Sequence, residues 1–148
     1  MSDDKGKVAL IPVETKAREW LGKLLITTEL LEKGFTVIVG PSQTLLANMM
    51  RFKPSIVLLH NADPDPVMEK QLRLIKSSGA LVFLLENEGG VYSNYSQLAA
   101  RLSPDITSYI TEYFCWSKDV GEFLKENKTL RAPIKVTGHV NFDLLKNP

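Results

Sequence analysis

Short, continuous apolar runs alternate along the chain with longer segments whose apolar positions recur every three or four residues. That alternation predicts an α/β fold built on a mainly parallel sheet. Val8 to Val13 is uninterrupted in its apolar character, as a strand covered on both faces should be. Thr15 is placed to cap the helix that follows, in which Ala17, Leu21, Leu24, Leu25, Thr28 and Leu31 keep helical spacing. Lys33-Gly34 ends that helix, and Phe35 to Val39 reads as the second strand. Gly40-Pro41-Ser42 turns into a second helix through Leu45, Leu46, Met49 and Met50.

The same rhythm continues to the end of the chain. Strands are predicted over Ser55 to Leu59, Ala80 to Leu85, Glu112 to Trp116 and Ile134 to Thr137. The helices between them run through Met68, Leu72 and Ile75, then Ser93 to Leu102, then a short restart at Ser103-Pro104-Asp105, then Val120, Phe123 and Leu124 behind Ser117. The expectation is one doubly wound, Rossmann-like α/β domain, with a mainly parallel sheet of about six strands. In such sheets ligands bind beyond the carboxyl ends of the strands. Those loops hold Glu14, Gly40 to Ser42, His60 to Asp63, Glu86 to Gly90, Trp116-Ser117 and Gly138 to Asp143.

Composition narrows the classes. A chain of 148 residues with 44% hydrophobic and 24% charged residues can bury a core without disulfides or metal. A net charge of +1 leaves no electrostatic footprint for nucleic acid. No apolar run approaches the roughly 18 residues of a transmembrane segment, and the hydrophilic start has no signal-peptide core, so a cytoplasmic protein is expected. The lone Cys115, in the run Tyr113-Phe114-Cys115-Trp116, reads as a buried structural thiol.

Several chemistries are not supported. Neither G-x-G-x-x-G nor G-x-x-x-x-G-K-[ST] is present, and there is no G-x-S-x-G elbow. The first strand ends in Pro12-Val13-Glu14 without paired aspartates, which argues against a phosphoacceptor receiver. His60, Cys115 and His139 do not have a metal-ligand spacing, and no cofactor is called for.

Two carboxylate clusters remain. Glu86 and Glu88 flank Asn87 before Gly89-Gly90; acids crowded at a cleft can act as general base or acid. The glycines would let a substrate lie against the backbone, and Tyr92 and Tyr95 offer a sugar ring an amphipathic surface. The bland alternative is an acidic solvated turn. Glu14, Arg18 and Glu19 form the other cluster. Arg18 could grip a carboxylate or phosphate with its planar fork, or simply pair with a local acid. His60 and His139 read as polar loop residues or as groups that hydrogen-bond a sugar hydroxyl. Trp20 and Trp116 are assigned to the core or to an interface.

The final stretch, Val136-Thr137-Gly138-His139-Val140-Asn141-Phe142-Asp143-Leu144-Leu145, reads as a strand, a glycine turn and a polar segment. Glycine at a strand end allows a ligand or a second domain to come close to the backbone.

Taken in order, Ile11-Pro12-Val13-Glu14, Arg18-Glu19, Glu86-Asn87-Glu88-Gly89-Gly90 and Val136 to Asp143 resemble the bacterial surface carbohydrate biosynthesis proteins, which are similar to glycosyltransferases of the GT-B fold. The closing motif also looks like the V-T-G-N-x-x-x-D segment of 3-deoxy-manno-octulosonic acid transferases and UDP-N-acetylglucosamine 2-epimerases. The resemblance runs from about Val8 to Leu145. Two positions depart from it: Asn87 stands where an acid is expected, and His139 replaces the usual asparagine.

The resemblance implies an N-terminal, acceptor-side half of a two-domain enzyme of surface polysaccharide (lipopolysaccharide or capsule) synthesis. A glycan acceptor would lie on this domain, and the nucleotide-sugar donor would be bound mainly by a C-terminal domain absent from this chain. Glu14 or Glu88 would be the catalytic base. Arg18, Glu86, Gly89, Gly90, Tyr92, Gly138 and His139 would bind substrate. By itself the domain would be inactive. Two rivals stay open: a stand-alone glycan-binding or partner-docking module, and half of an epimerase-like enzyme.

Overall fold

A computed structural model describes residues 6–87, 94–128 and 130–146. Six strands form one sheet: β1 (Val8–Val13), β2 (Thr36–Pro41), β3 (Ile56–Leu59), β4 (Leu81–Leu85), β5 (Glu112–Cys115) and β6 (Ile134–Val136). Their order is β2-β1-β3-β4-β5-β6, and every neighbouring pair is parallel. The first five follow the 2-1-3-4-5 order of doubly wound α/β domains, with the reversal between β1 and β3. The chain therefore has the expected Rossmann-like α/β architecture.

Alternation along the strands sorts the side chains to two faces. Leu10, Val57, Leu59, Val82, Leu84, Tyr113 and Cys115 form one face of the core. Against them pack α2 (Ser42–Ala47), α3 (Met49–Phe52), α4 (Pro66–Ser77), α5 (Tyr95–Ala100), α6 (Pro104–Thr107) and α7 (Lys118–Glu126). The cap read at Ser117 holds: its hydroxyl accepts from the Val120 N–H. Ser103 also caps α6, accepting from the Asp105 N–H. Asp65 caps α4 by accepting from the Val67 and Met68 N–H groups. The second predicted helix is broken at Asn48, whose side-chain amide donates to the Thr44 carbonyl at 2.9 Å. Cys115 is fully buried, and burial pushes its thiol pKa up, away from thiolate chemistry.

The opposite face, with Ile11, Leu58 and Leu85, is covered by α1 (Lys16–Glu32) and by α8 (Val140–Lys146). Two features of this face are visible only in the fold. The polar closing segment is a helix, and it packs on α1 at Gly22, where an added Cβ would lie 2.5 Å from Asn141 Oδ1 and 2.6 Å from Val140 Cγ1. A methyl there would force the Asn141 and Val140 side chains to move. Second, the leucine stripe of α1 faces water: Leu21 is 67% and Leu31 53% exposed, while Glu19, Gly22 and Lys23 are buried. The polar residues are turned inward because they have partners there.

Candidate functional site

Those partners begin at the end of β1. Thr15, the expected cap of α1, makes no side-chain capping bond. Glu19 does that work from inside the helix. Its carboxylate accepts from the backbone N–H of Thr15 at 3.0 Å and of Glu14 at 3.4 Å. Lys23, one turn further along, donates to the Glu19 carboxylate and to the Pro12 carbonyl. Burial alone would raise the Glu19 pKa. The Lys23 hydrogen bond, the Thr15 N–H and the charges of Lys23 and His60 outweigh it and bring the carboxyl down to about 2. The Lys23 pKa is also lowered from its ordinary value, first by burial, with Glu19 opposing.

Glu14 stands where β1 gives way to α1, its side chain 53% exposed. His60 follows β3, the next strand in the sheet, and is only 7% exposed. Its Nε2 lies 2.8 Å from Glu14 Oε2. With Nε2–H donating to the carboxylate, Nδ1 is left as a buried acceptor, and it has no hydrogen-bond partner among the described residues. Arg18 completes the group, 3.5 Å from Glu14 and 3.4 Å from Glu19. Of the two readings of Arg18 from sequence, the local pair is the one seen here.

Glu14, Glu19 and His60 each bring a ligand-type atom within 4.8 Å of the others. Arg18 and Lys23 already face the two carboxylates. A divalent cation would have to displace the buried Lys23 ammonium from Glu19. The geometry favours a salt-bridged group over a metal site.

The second half of the site lies at the ends of β4, β5 and β6. Glu86 is buried and accepts from the Tyr113 hydroxyl at 3.2 Å, and the Trp116 indole N–H donates to its backbone carbonyl. His139 packs on the Trp116 ring, centroids 4.3 Å apart, with Phe142 edge-on to both. Its Nδ1 accepts from the Asn141 N–H at 3.3 Å and its Nε2 faces Asn87 Oδ1 at 3.1 Å. Only the neutral ring with hydrogen on Nε2 satisfies both contacts. Burial lowers the His139 pKa in the same sense, against an opposing pull from Asp143. Gly138 turns the chain into this arrangement at φ +78°, a conformation that costs other residues more.

A cleft of about 220 Å³ lies over these groups, lined by Glu86, Asn87, Phe114, Gly138, His139 and Asp143 among others. A smaller cavity, lined by Glu19, Lys23, His60, Asn87 and Asn141, shares Ile26, Leu85, Asn87 and Val140 with it. The Glu14–His60 pair and the His139 platform therefore belong to one strip of surface along the strand ends.

Of the residues expected from sequence, Glu14, Arg18, Glu86, Gly138 and His139 fall on this strip. Glu88, Gly89, Gly90 and Tyr92 lie outside the described residues. Tyr95 does not reach it: it starts α5 and packs on Phe123, centroids 5.5 Å apart. His60, Lys23 and Asn87 were not assigned to the site from sequence. Lys23 did leave a trace, since it lies one helical turn beyond Glu19 and out of phase with the leucines.

No protein-family model matches the chain, and no curated protein matches it. Two solved structures are similar. The response regulator TrrA of Thermotoga maritima, in complex with Mg(2+)-BeF, is 20% identical over 83% of this chain and 96% of its own, with a TM-score of 0.46. Cystathionine gamma synthase of Xanthomonas oryzae pv. oryzae, in complex with cystathionine, is 20% identical over 53% of this chain, with a TM-score of 0.39. The chain spans 21% of that enzyme. Neither likeness bears on what this chain does. Among the described residues, no helix is long and apolar enough to cross a membrane.

Proposed function

We propose that this chain is the N-terminal, acceptor-side domain of a GT-B-type glycosyltransferase of surface polysaccharide synthesis. One observation carries the reading. A half-exposed carboxylate, Glu14, is fixed at the crevice between β1 and β3, with His60 at 2.8 Å and Arg18 at 3.5 Å. Crevices of this kind are where doubly wound sheets bind ligands.

In this reading Glu14 accepts the proton of an acceptor hydroxyl as that oxygen attacks the anomeric carbon of a nucleotide sugar. The new glycosidic C–O bond forms as the bond from the anomeric carbon to the departing phosphate oxygen breaks. The nucleotide leaves with the electron pair, and the proton stays on Glu14. His60 and Arg18 hold the carboxylate in place. The cleft at Glu86, Asn87, Gly138 and His139 holds the acceptor, with the Trp116–His139–Phe142 cluster as apolar support for a sugar ring. The donor is held by a second domain.

Glu14→Gln and Glu88→Gln, made singly in a protein carrying both domains, are the test. Loss of glycosyl transfer in Glu14→Gln, with the fold intact by circular dichroism, supports the reading. Turnover unchanged in both variants would sink it.

A further inference from the structure

Lys23 and His60 are each only 7% exposed, and each has hydrogen-bonding capacity left over. The Lys23 ammonium carries three hydrogens and gives two of them, to the Glu19 carboxylate and the Pro12 carbonyl. Among the described residues nothing takes the third. His60 commits Nε2 to Glu14, and its Nδ1 is the buried acceptor without a partner. An unpaired buried donor and an unpaired buried acceptor are each costly, so the two together point to something that joins them.

Both side chains line the same small cavity, of about 20 Å³, between the sheet and helices α1 and α8. Alternation along β3 puts His60 with Leu58 on the face that these helices cover. The two nitrogens of an imidazole point in nearly opposite directions. With Nε2 turned out toward half-exposed Glu14, Nδ1 is turned inward. A Glu19 carboxylate oxygen lies within 4.8 Å of a His60 nitrogen, and Lys23 donates to that carboxylate. One molecule hydrogen-bonded to two groups can span up to about 6 Å between them. The free volume admits a single water and is too small for a sugar ring or a phosphate.

We propose that this cavity is a binding site for one water molecule, which accepts from Lys23 and donates to Nδ1 of His60. Its second hydrogen falls to Oδ1 of Asn141, whose amide nitrogen is already given to the Arg18 carbonyl. Three hydrogen bonds are usual for a buried water. The order of donors gives this water a task. Lys23 can only donate, so the water turns a lone pair to the lysine and its hydrogens to the acceptors. Nδ1 of His60 is then bare, the ring hydrogen stands on Nε2, and that hydrogen is aimed at Glu14. Lys23 is thus a positioning residue that acts on Glu14 through the water and His60. The inference holds whether or not Glu14 serves as the base of a glycosyl transfer.

A crystal structure of the full chain tests the site: one water peak should lie within about 3.2 Å of both Lys23 Nζ and His60 Nδ1. Nitrogen-15 spectra of the histidine-labelled protein at neutral pH test the tautomer, with His139→Asn identifying the other of the two histidines. His60 should carry one hydrogen, on Nε2, and its Nδ1 resonance should be displaced from that of a bare ring nitrogen. Lys23→Met combined with Glu19→Gln removes the donor without stranding a charge. That variant should lose the water peak and move the Nδ1 resonance to the bare position, which a purely structural role of Lys23 would not do. A wild-type cavity with no water peak, or a hydrogen on Nδ1, would overturn the proposal, and both are read without any variant. A double variant that keeps the peak and the Nδ1 resonance would overturn the role given to Lys23.

Discussion

Nε2 of His60 and Oε2 of Glu14 lie 2.8 Å apart although 46 residues separate them in the chain. The contact exists because β1 and β3 are neighbours in the sheet and their carboxyl ends open into one crevice. It joins a buried imidazole to a half-exposed carboxylate, so one end of the pair is fixed by the core and the other meets solvent.

This relationship sets the first prediction. On the proposed reading Glu14→Gln removes the base and should lower turnover by roughly 10²- to 10⁴-fold. His60→Asn keeps a donor but loses the ring's reach, and should lower turnover less while leaving the acceptor KM near its original value. The two variants combined should cost little more than Glu14→Gln alone, because His60 acts through Glu14. A fully additive double variant would mean that His60 has a role of its own.

The Glu19–Lys23 pair sets the acid limit of the fold. The Glu19 carboxyl titrates near 2 in the folded protein, against an ordinary 4.5. Between those values the unfolded chain binds more protons than the folded one, so stability falls as pH drops. The contribution is whole above about pH 4.5, on the order of 3 kcal/mol, and is lost as pH falls toward 2. Urea denaturation at stepped pH should show this decline. Glu19→Gln should flatten it and should also destabilise at neutral pH by about 3–5 kcal/mol, because it strands the Lys23 ammonium. Adding Lys23→Met should recover much of that loss.

Gly22 tests the docking of α8. Alanine is the better helix former by about 1 kcal/mol, and on an exposed helix this exchange would stabilise. Here the new methyl meets Asn141 and Val140 at distances no ordinary contact allows. Gly22→Ala should therefore destabilise by about 1–3 kcal/mol. It should also loosen α8, changing the emission of Trp116 through its contacts with His139 and Phe142. A stabilised variant with unchanged emission would show that α8 yields without cost.

How much of this could be read from sequence follows from what each signal depends on. The strands were legible because a buried parallel strand is a continuous apolar run, as Val8 to Val13 and Leu81 to Leu85 are. The facing of α1 was not legible in its pattern, for a physical reason. Its leucines are the loudest periodic signal, while a buried ion pair such as Glu19–Lys23 looks like surface until its partners are known. Helix α8 was hidden by its polar content, Asn141 and Asp143 included, because it is held by contact with Gly22 more than by propensity. The positions Glu14 and His139 were found at strand ends. That Glu14 would meet His60, and His139 would meet Asn87, required the strand order.

His139 provides a spectroscopic check on the second half of the site. Its ring lies against Trp116 and is buried enough to lower its pKa below the ordinary 6.5. Its two nitrogens are satisfied only when the ring is neutral, since Nδ1 must accept from the Asn141 N–H. Protonation would set two hydrogens against each other and loosen the turn at Gly138. An imidazolium quenches indole emission, so in a Trp20→Phe background the Trp116 signal should fall as pH drops, with a midpoint below 6.5. The sign for stability is the same. Between the folded pKa and 6.5 the unfolded chain binds more protons, so His139 takes stability away as pH falls through that window. His139→Asn should abolish the fluorescence transition and remove this share of the acid sensitivity. A midpoint at or above 6.5 would mean that the Asp143 charge, and not burial, governs the ring.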